Sequence, residues 1–193
     1  MSFKEAMKYT FYWEGKKLEN NPNDPGGLTN FGIILPVLKD MGLAGDFDLD
    51  GDVDADDLKL MDEEKATAVY KEQFWKRYKC GFLEYPISIK YFDTAVNLGP
   101  YQAGLILQRA INASHCSYCS GKLLKVDGIV GPITRKAINV SYADEILVAF
   151  KSEQAGVYRM IVYKKPEMDE FLNGWLRRAY SVPGDILEVY DVE

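Results

Sequence analysis

The sequence predicts a mainly α-helical globular protein, and three observations carry that expectation. Phe3, Ala6, Met7, Thr10 and Phe11 recur on one helix face, so residues 1–13 read as an amphipathic helix. Between residues 57 and 78, Leu58, Met61, Ala66, Val69, Tyr70, Phe74 and Trp75 form a broad apolar face opposite lysines and glutamates. Residues 143–180 hold two more helical patterns, broken near Lys165-Pro166 and anchored by Phe171, Trp175 and Leu176. At 193 residues, 47% hydrophobic and 27% charged, the chain can bury one sizeable core or two small lobes. No linker rich in Pro, Gly or Ser interrupts it. Residues 1–90 and 91–193 are therefore expected to be two halves packed as one unit, and the protein to be a monomer.

Composition excludes several classes. A net charge of -6 without a basic cluster argues against nucleic acid as a partner. No apolar run of the length a bilayer needs is present, and the N-terminus lacks a basic region followed by an apolar core, so neither a membrane span nor a secretory signal is expected. Cys80, Cys116 and Cys119 are too few for a disulfide framework, and reduced thiols are expected. His115 beside Cys116 and Cys119 is a weak zinc pattern, because no second paired motif accompanies it.

The least ordinary stretch runs from residue 14 to residue 33, EGKKLENNPNDPGGLTNFGI. It shows neither helical nor strand periodicity and offers turns at Asn21-Pro22, Asp24-Pro25 and Gly26-Gly27. Glu14 falls at the C-terminal end of the first helix, against the unfavourable pole of the helix dipole, a placement that suits a general acid. A solvated surface loop would have a similar composition. The order of residues favours a site: Glu14-Gly15, then Asp24-Pro25-Gly26-Gly27, then Thr29-Asn30-Phe31-Gly32-Ile33 resembles the N-terminal signature of glycoside hydrolase family 108, muramidases of bacteria and phages with a lysozyme-like fold. Lys16 stands where that family usually has a second glycine. The resemblance implies Glu14 as general acid, Asp24 and Thr29 as further catalytic groups, and Gly27 and Asn30 on the substrate side. Asp24 is one position farther from the glutamate than in phage-type lysozymes, which leaves its role open between positioning water, stabilising charge and capping the turn.

Residues 46–57, DFDLDGDVDADD, carry oxygen ligands at positions one, three, five and twelve, glycine at six and an aliphatic residue at eight, the pattern of an EF-hand calcium loop. Asp46, Asp48, Asp50 and Asp57 are expected to bind one structural Ca2+ through side chains, Asp52 through its carbonyl and Asp54 through water. Asp57 replaces the usual glutamate, which makes the loop dockerin-like, and an acidic solvated loop is the plainer alternative. The fold class is thus a lysozyme-like helical fold with a single EF-hand-like loop in its catalytic half.

Farther along, residues 91–100, YFDTAVNLGP, resemble a second block of the same family's pattern, and residues 103–112 read as a helix. Val126-Asp127-Gly128-Ile129-Val130-Gly131-Pro132-Ile133-Thr134, with Leu107-Gln108 upstream, resembles the turn of peptidoglycan-binding helical modules. Its two readings, glycan contact and helix-turn-helix scaffolding, stand level. The last ten residues read as a loose tail.

The expected function is hydrolysis of the β-1,4 bond between N-acetylmuramic acid and N-acetylglucosamine in peptidoglycan glycan strands. The alternatives are a lytic transglycosylase and a non-catalytic, calcium-dependent wall-binding module. The resemblance further implies an endolysin made in the host cytoplasm and released to the wall by a holin-type route.

Overall fold

The computed structural model describes residues 3–14, 19–20, 28–114, 123–139 and 141–190, with the backbone alone at residues 19, 20, 189 and 190. The chain is mainly α-helical, as a lysozyme-like fold is. It forms two compact units, Thr10–Tyr78 and Met1–Tyr9 with Lys79–Glu193. No described helix is long and apolar enough to cross a membrane.

In the unit Thr10–Tyr78, the end of helix α1 (Phe3–Glu14) leads into a small antiparallel sheet of β1 (Glu19–Asn20), β2 (Leu28–Asn30) and β3 (Ile33–Ile34) in the order β1-β2-β3. Glu19 pairs with Thr29, and Asn30 with Ile33. The sequence showed no strand periodicity here because strands of two or three residues are too short to display alternation. Helix α2 (Leu35–Lys39) follows, with Pro36 in its first turn where the missing amide costs nothing. Helices α3 (Ala55–Lys59) and α4 (Glu63–Tyr70) replace the single helix expected from residue 57 onward. The break is a second N-cap: the Asp62 carboxylate accepts the Lys65 amide at 2.8 Å and starts a new helix. Beyond Tyr70 the backbone widens into a π-helical turn, Lys71–Lys76. Phe11, Ile33, Leu38, Leu58, Val69 and Tyr70 are buried at the centre of this unit.

In the other unit, helices α5 (Ile87–Leu98), α6 (Pro100–Ala113), α7 (Pro132–Ile138), α8 (Ala143–Lys164), α9 (Asp169–Tyr180) and α10 (Pro183–Tyr190) pack chiefly as the series α5, α6, α8 and α9. Phe92, Ile106, Leu107, Ile146 and Phe150 are fully or almost fully buried between them. Tyr158 stacks on Trp175 at 5.3 Å, joining α8 to α9. The break between α8 and α9 falls at the short turn Pro166–Met168, where the sequence places it, whereas Pro183–Tyr190 is helical and not a loose tail.

The 91–100 block is scaffold of this unit. Asp93 is fully buried and receives Arg178 through two hydrogen bonds, Nε to Oδ2 at 3.0 Å and Nη2 to Oδ1 at 2.8 Å. One turn earlier, the fully buried Lys90 donates from Nζ to Tyr9 Oη at 3.2 Å, Arg178 O at 2.8 Å and Ala179 O at 3.1 Å. The Lys90 amino group thus caps the last carbonyls of α9. Burial lowers the Lys90 pKa to about 7, with nearby Asp93 working the other way.

Candidate functional site

Glu14 closes α1, is half-buried, and leans on the turn between β2 and β3. That turn has two central residues, Phe31 at φ 51° and Gly32 at φ 74°, the doubly left-handed form that matches the twist of a two-residue hairpin. A Cβ on Gly32 would stand 2.9 Å from Tyr70 Oη, 3.3 Å from Glu14 Oε2 and 3.4 Å from Glu14 Cβ. Only glycine combines that backbone with that lack of space. Glu14 therefore rests directly on the backbone of the turn.

The neighbouring sequence-predicted residues divide between two sides of β2. Asn30 is buried, and its amide nitrogen donates to Leu58 O at 2.9 Å and Met61 O at 3.3 Å, so it braces the end of α3. Thr29, one residue earlier and half-buried, lies on the opposite face by strand alternation. Asp24 and Gly27 lie outside the described residues. Tyr70, placed by the sequence on the broad apolar face of residues 57–78, belongs to the core at 1% exposure.

The acidic loop is a separate structure on the same unit. One carboxylate oxygen from each of Asp46, Asp48 and Asp50 lies within 4.8 Å of the others. Asp46 shapes the loop, its Oδ1 accepting the amides of Leu49 at 2.7 Å and Asp50 at 3.2 Å and its Oδ2 that of Gly51 at 3.0 Å. Gly51 has φ 103°, the sharp turn expected at the sixth position. Asp57 is buried and accepts the amides of Phe47 and Asp48 on Oδ1 and of Asp54 on Oδ2, completing a capping box at the start of α3. Burial raises its pKa, but these amide hydrogen bonds outweigh burial and hold it below the usual carboxylate value. Exposed Asp52 is shifted upward, first by the charge of Asp50. Asp46, Asp48 and Asp50 are oxygen donors of the kind a hard cation takes, and Asp46, like Asp57, already accepts backbone amides on both oxygens.

In the other unit, the turn of residues 126–134 is tied together from within. Gln108, 2% exposed, donates to Asp127 Oδ1 at 2.9 Å and Ile129 O at 3.1 Å and accepts the amides of Asp127 and Gly128. The turn's polar residues hold it in place, whereas Ile129 and Ile133 are 70% and 68% exposed. Cys80 is buried, which pushes its thiol up to about 12 and leaves it protonated at neutral pH. Cys116 and Cys119 lie outside the described residues.

Residues 7–99, which include Glu14 and the acidic loop, match the family Glycosyl hydrolase 108. Residues 102–180 match the Predicted Peptidoglycan domain. Together these matches support a peptidoglycan hydrolase, a glycoside hydrolase domain followed by a peptidoglycan domain. Among solved structures the chain is similar to SagA of Brucella abortus, with 25% identity and a TM-score of 0.72, over 96% of this chain and 94% of that one. No curated protein gives a match.

Proposed function

We propose that the protein is an N-acetylmuramidase that hydrolyses the β-1,4 bond between N-acetylmuramic acid and N-acetylglucosamine, with Glu14 as general acid. The observation that carries this reading is the seat of Glu14, a half-buried carboxylate at the end of α1 held against the backbone at Gly32, inside the segment matched to Glycosyl hydrolase 108. Cleavage needs a proton on the leaving oxygen and stabilisation of an oxocarbenium-like centre. Glu14 would deliver the proton from Oε. Thr29, on the face of β2 away from the Asn30 brace, would offer its hydroxyl to the sugar or to water, and Asp24 with Gly27 would complete the substrate side. Asn30 holds the hairpin to α3 in this account. Release of an endolysin to the wall by a holin-type route belongs to the same reading.

The same proposal includes one structural Ca2+ in the loop of residues 46–57. Asp46, Asp48 and Asp50 would hold it through carboxylate oxygens, with Asp52 through its carbonyl. Asp57 would support the loop chiefly through the amides it accepts. The ion would brace the segment that precedes α3, and the chemistry at Glu14 would not pass through it.

Mass spectrometry of fragments released from purified sacculi tests the reaction. Products with a reducing N-acetylmuramic acid end are expected. Anhydro-muramic products would assign a lytic transglycosylase instead, and an absence of fragments a binding module.

A further inference from the structure

Tyr70 ends α4 in the core, and its hydroxyl donates to the carbonyl oxygen of Phe31 at 2.8 Å. Phe31 is the residue of the hairpin that pays most for its backbone, a bulky side chain at φ 51°. One ring contact adds to the hydrogen bond: Phe11 meets the Phe31 ring at 6.1 Å and is itself packed on the Tyr70 ring at 5.9 Å. The same Tyr70 oxygen and the Glu14 carboxylate crowd one point, the place a Gly32 Cβ would occupy. Directly after Tyr70 the helix opens into the π-helical turn Lys71–Lys76, a departure from regular geometry that recurs at functional sites. All these residues belong to the unit Thr10–Tyr78.

We infer that Tyr70 is a positioning residue for Glu14, acting through the Phe31-Gly32 turn against which the carboxylate rests. The inference deepens the proposed function and rests on its assignment of Glu14 as the acid. With the hydroxyl in place, the Phe31 carbonyl is anchored and Gly32 is held at a fixed height beneath the Glu14 side chain. Without it, the turn regains freedom, and the carboxyl loses the alignment that proton delivery to a glycosidic oxygen requires. Substrate binding, made by groups beyond Glu14, is left intact. Tyr70 therefore contributes to kcat and not to KM.

The experiment compares wild type, Glu14→Gln, Tyr70→Phe, Gly32→Ala and the double variant Tyr70→Phe with Gly32→Ala on solubilised glycan strands, each assayed below its own melting transition. Tyr70→Phe keeps the ring contacts with Phe11 and Phe74 and removes the hydroxyl alone. Its kcat is expected to fall about tenfold or more while KM stays within about twofold. Gly32→Ala is expected to cost less in the Tyr70→Phe background than in wild type, because the oxygen nearest the new methyl is gone. If Glu14→Gln retains activity, the assignment of the acid falls and the role of Tyr70 falls with it. If Glu14→Gln is inactive but Tyr70→Phe has wild-type kcat, or changes KM alone, or combines with Gly32→Ala in strictly multiplicative fashion, the acid stands and the positioning role is overturned.

Discussion

Arg178 and Asp93 are joined through two parallel hydrogen bonds at 3.0 and 2.8 Å, both side chains almost entirely out of water. The pair links α9 to α5, and the Arg178 carbonyl on the same residue receives Lys90. A matched buried pair adds little over apolar packing, but half of one is costly. Arg178→Met leaves the Asp93 carboxylate without its bidentate partner and is expected to lower unfolding free energy by roughly 3–5 kcal/mol, measured by urea denaturation. A loss below about 1 kcal/mol would mean that the pair is not the brace described here.

Lys90 makes stability depend on pH with a defined sign. Burial lowers its folded-state pKa from the ordinary 10.5 to about 7, against the pull of Asp93 and with the help of Arg178 and Lys151. Between these two values the unfolded chain binds more protons than the folded one, so this group's contribution rises with pH, is complete above the unfolded value, and is lost as pH falls toward the folded one. Lys90→Met should flatten the pH dependence of unfolding free energy across that window. An identical slope in wild type and variant would contradict the assignment.

The acidic loop predicts a metal-linked stability. A cation that binds only the folded protein raises the melting temperature by mass action, equivalent to about 2.7 kcal/mol at a hundredfold excess over Kd. Calcium should raise the melting temperature of wild type and EDTA reverse the effect, while Asp48→Asn should blunt the response. No change on adding calcium or EDTA would leave the loop as an acidic surface turn.

At the turn of residues 126–134 the polar groups and the exposed side chains should separate cleanly. Gln108→Leu deprives the Asp127 and Gly128 amides of their acceptor and should cost about 1–3 kcal/mol of stability. Ile129→Ala, at a side chain 70% exposed, should stay within about 0.5 kcal/mol of wild type. Thermal melts of the two variants decide it, and equal losses would refute this division.

Helix positions were readable in the sequence because apolar residues recur with a helical period, and the break at Lys165-Pro166 was readable because proline stops a helix. The split between α3 and α4 was not, since Asp62 reads equally well as a charge on a continuous solvent face or as a cap. The place of Glu14 at the end of α1 could be anticipated from the helical period of residues 3–11. Its dependence on Tyr70 could not, because a residue distant in sequence reaches the hairpin through one hydroxyl, and periodicity identifies Tyr70 only as apolar surface. Asn30 is similar: its neighbours in sequence are a polar run, yet its partners are the carbonyls of Leu58 and Met61. Lys90, counted by composition as one more surface charge, is wholly buried. The signal that finds it is positional, a lysine on the helix face shared with Ile87 and Asp93.

The central claim is that Glu14 is the acid, and the lytic activity of Glu14→Gln on permeabilised Gram-negative cells tests it most directly. Glutamine keeps the size of the side chain against Gly32 but has no proton to deliver. Folded Glu14→Gln with activity reduced at least about a hundredfold is the expected result. Folded Glu14→Gln that lyses cells at the wild-type rate would contradict the account.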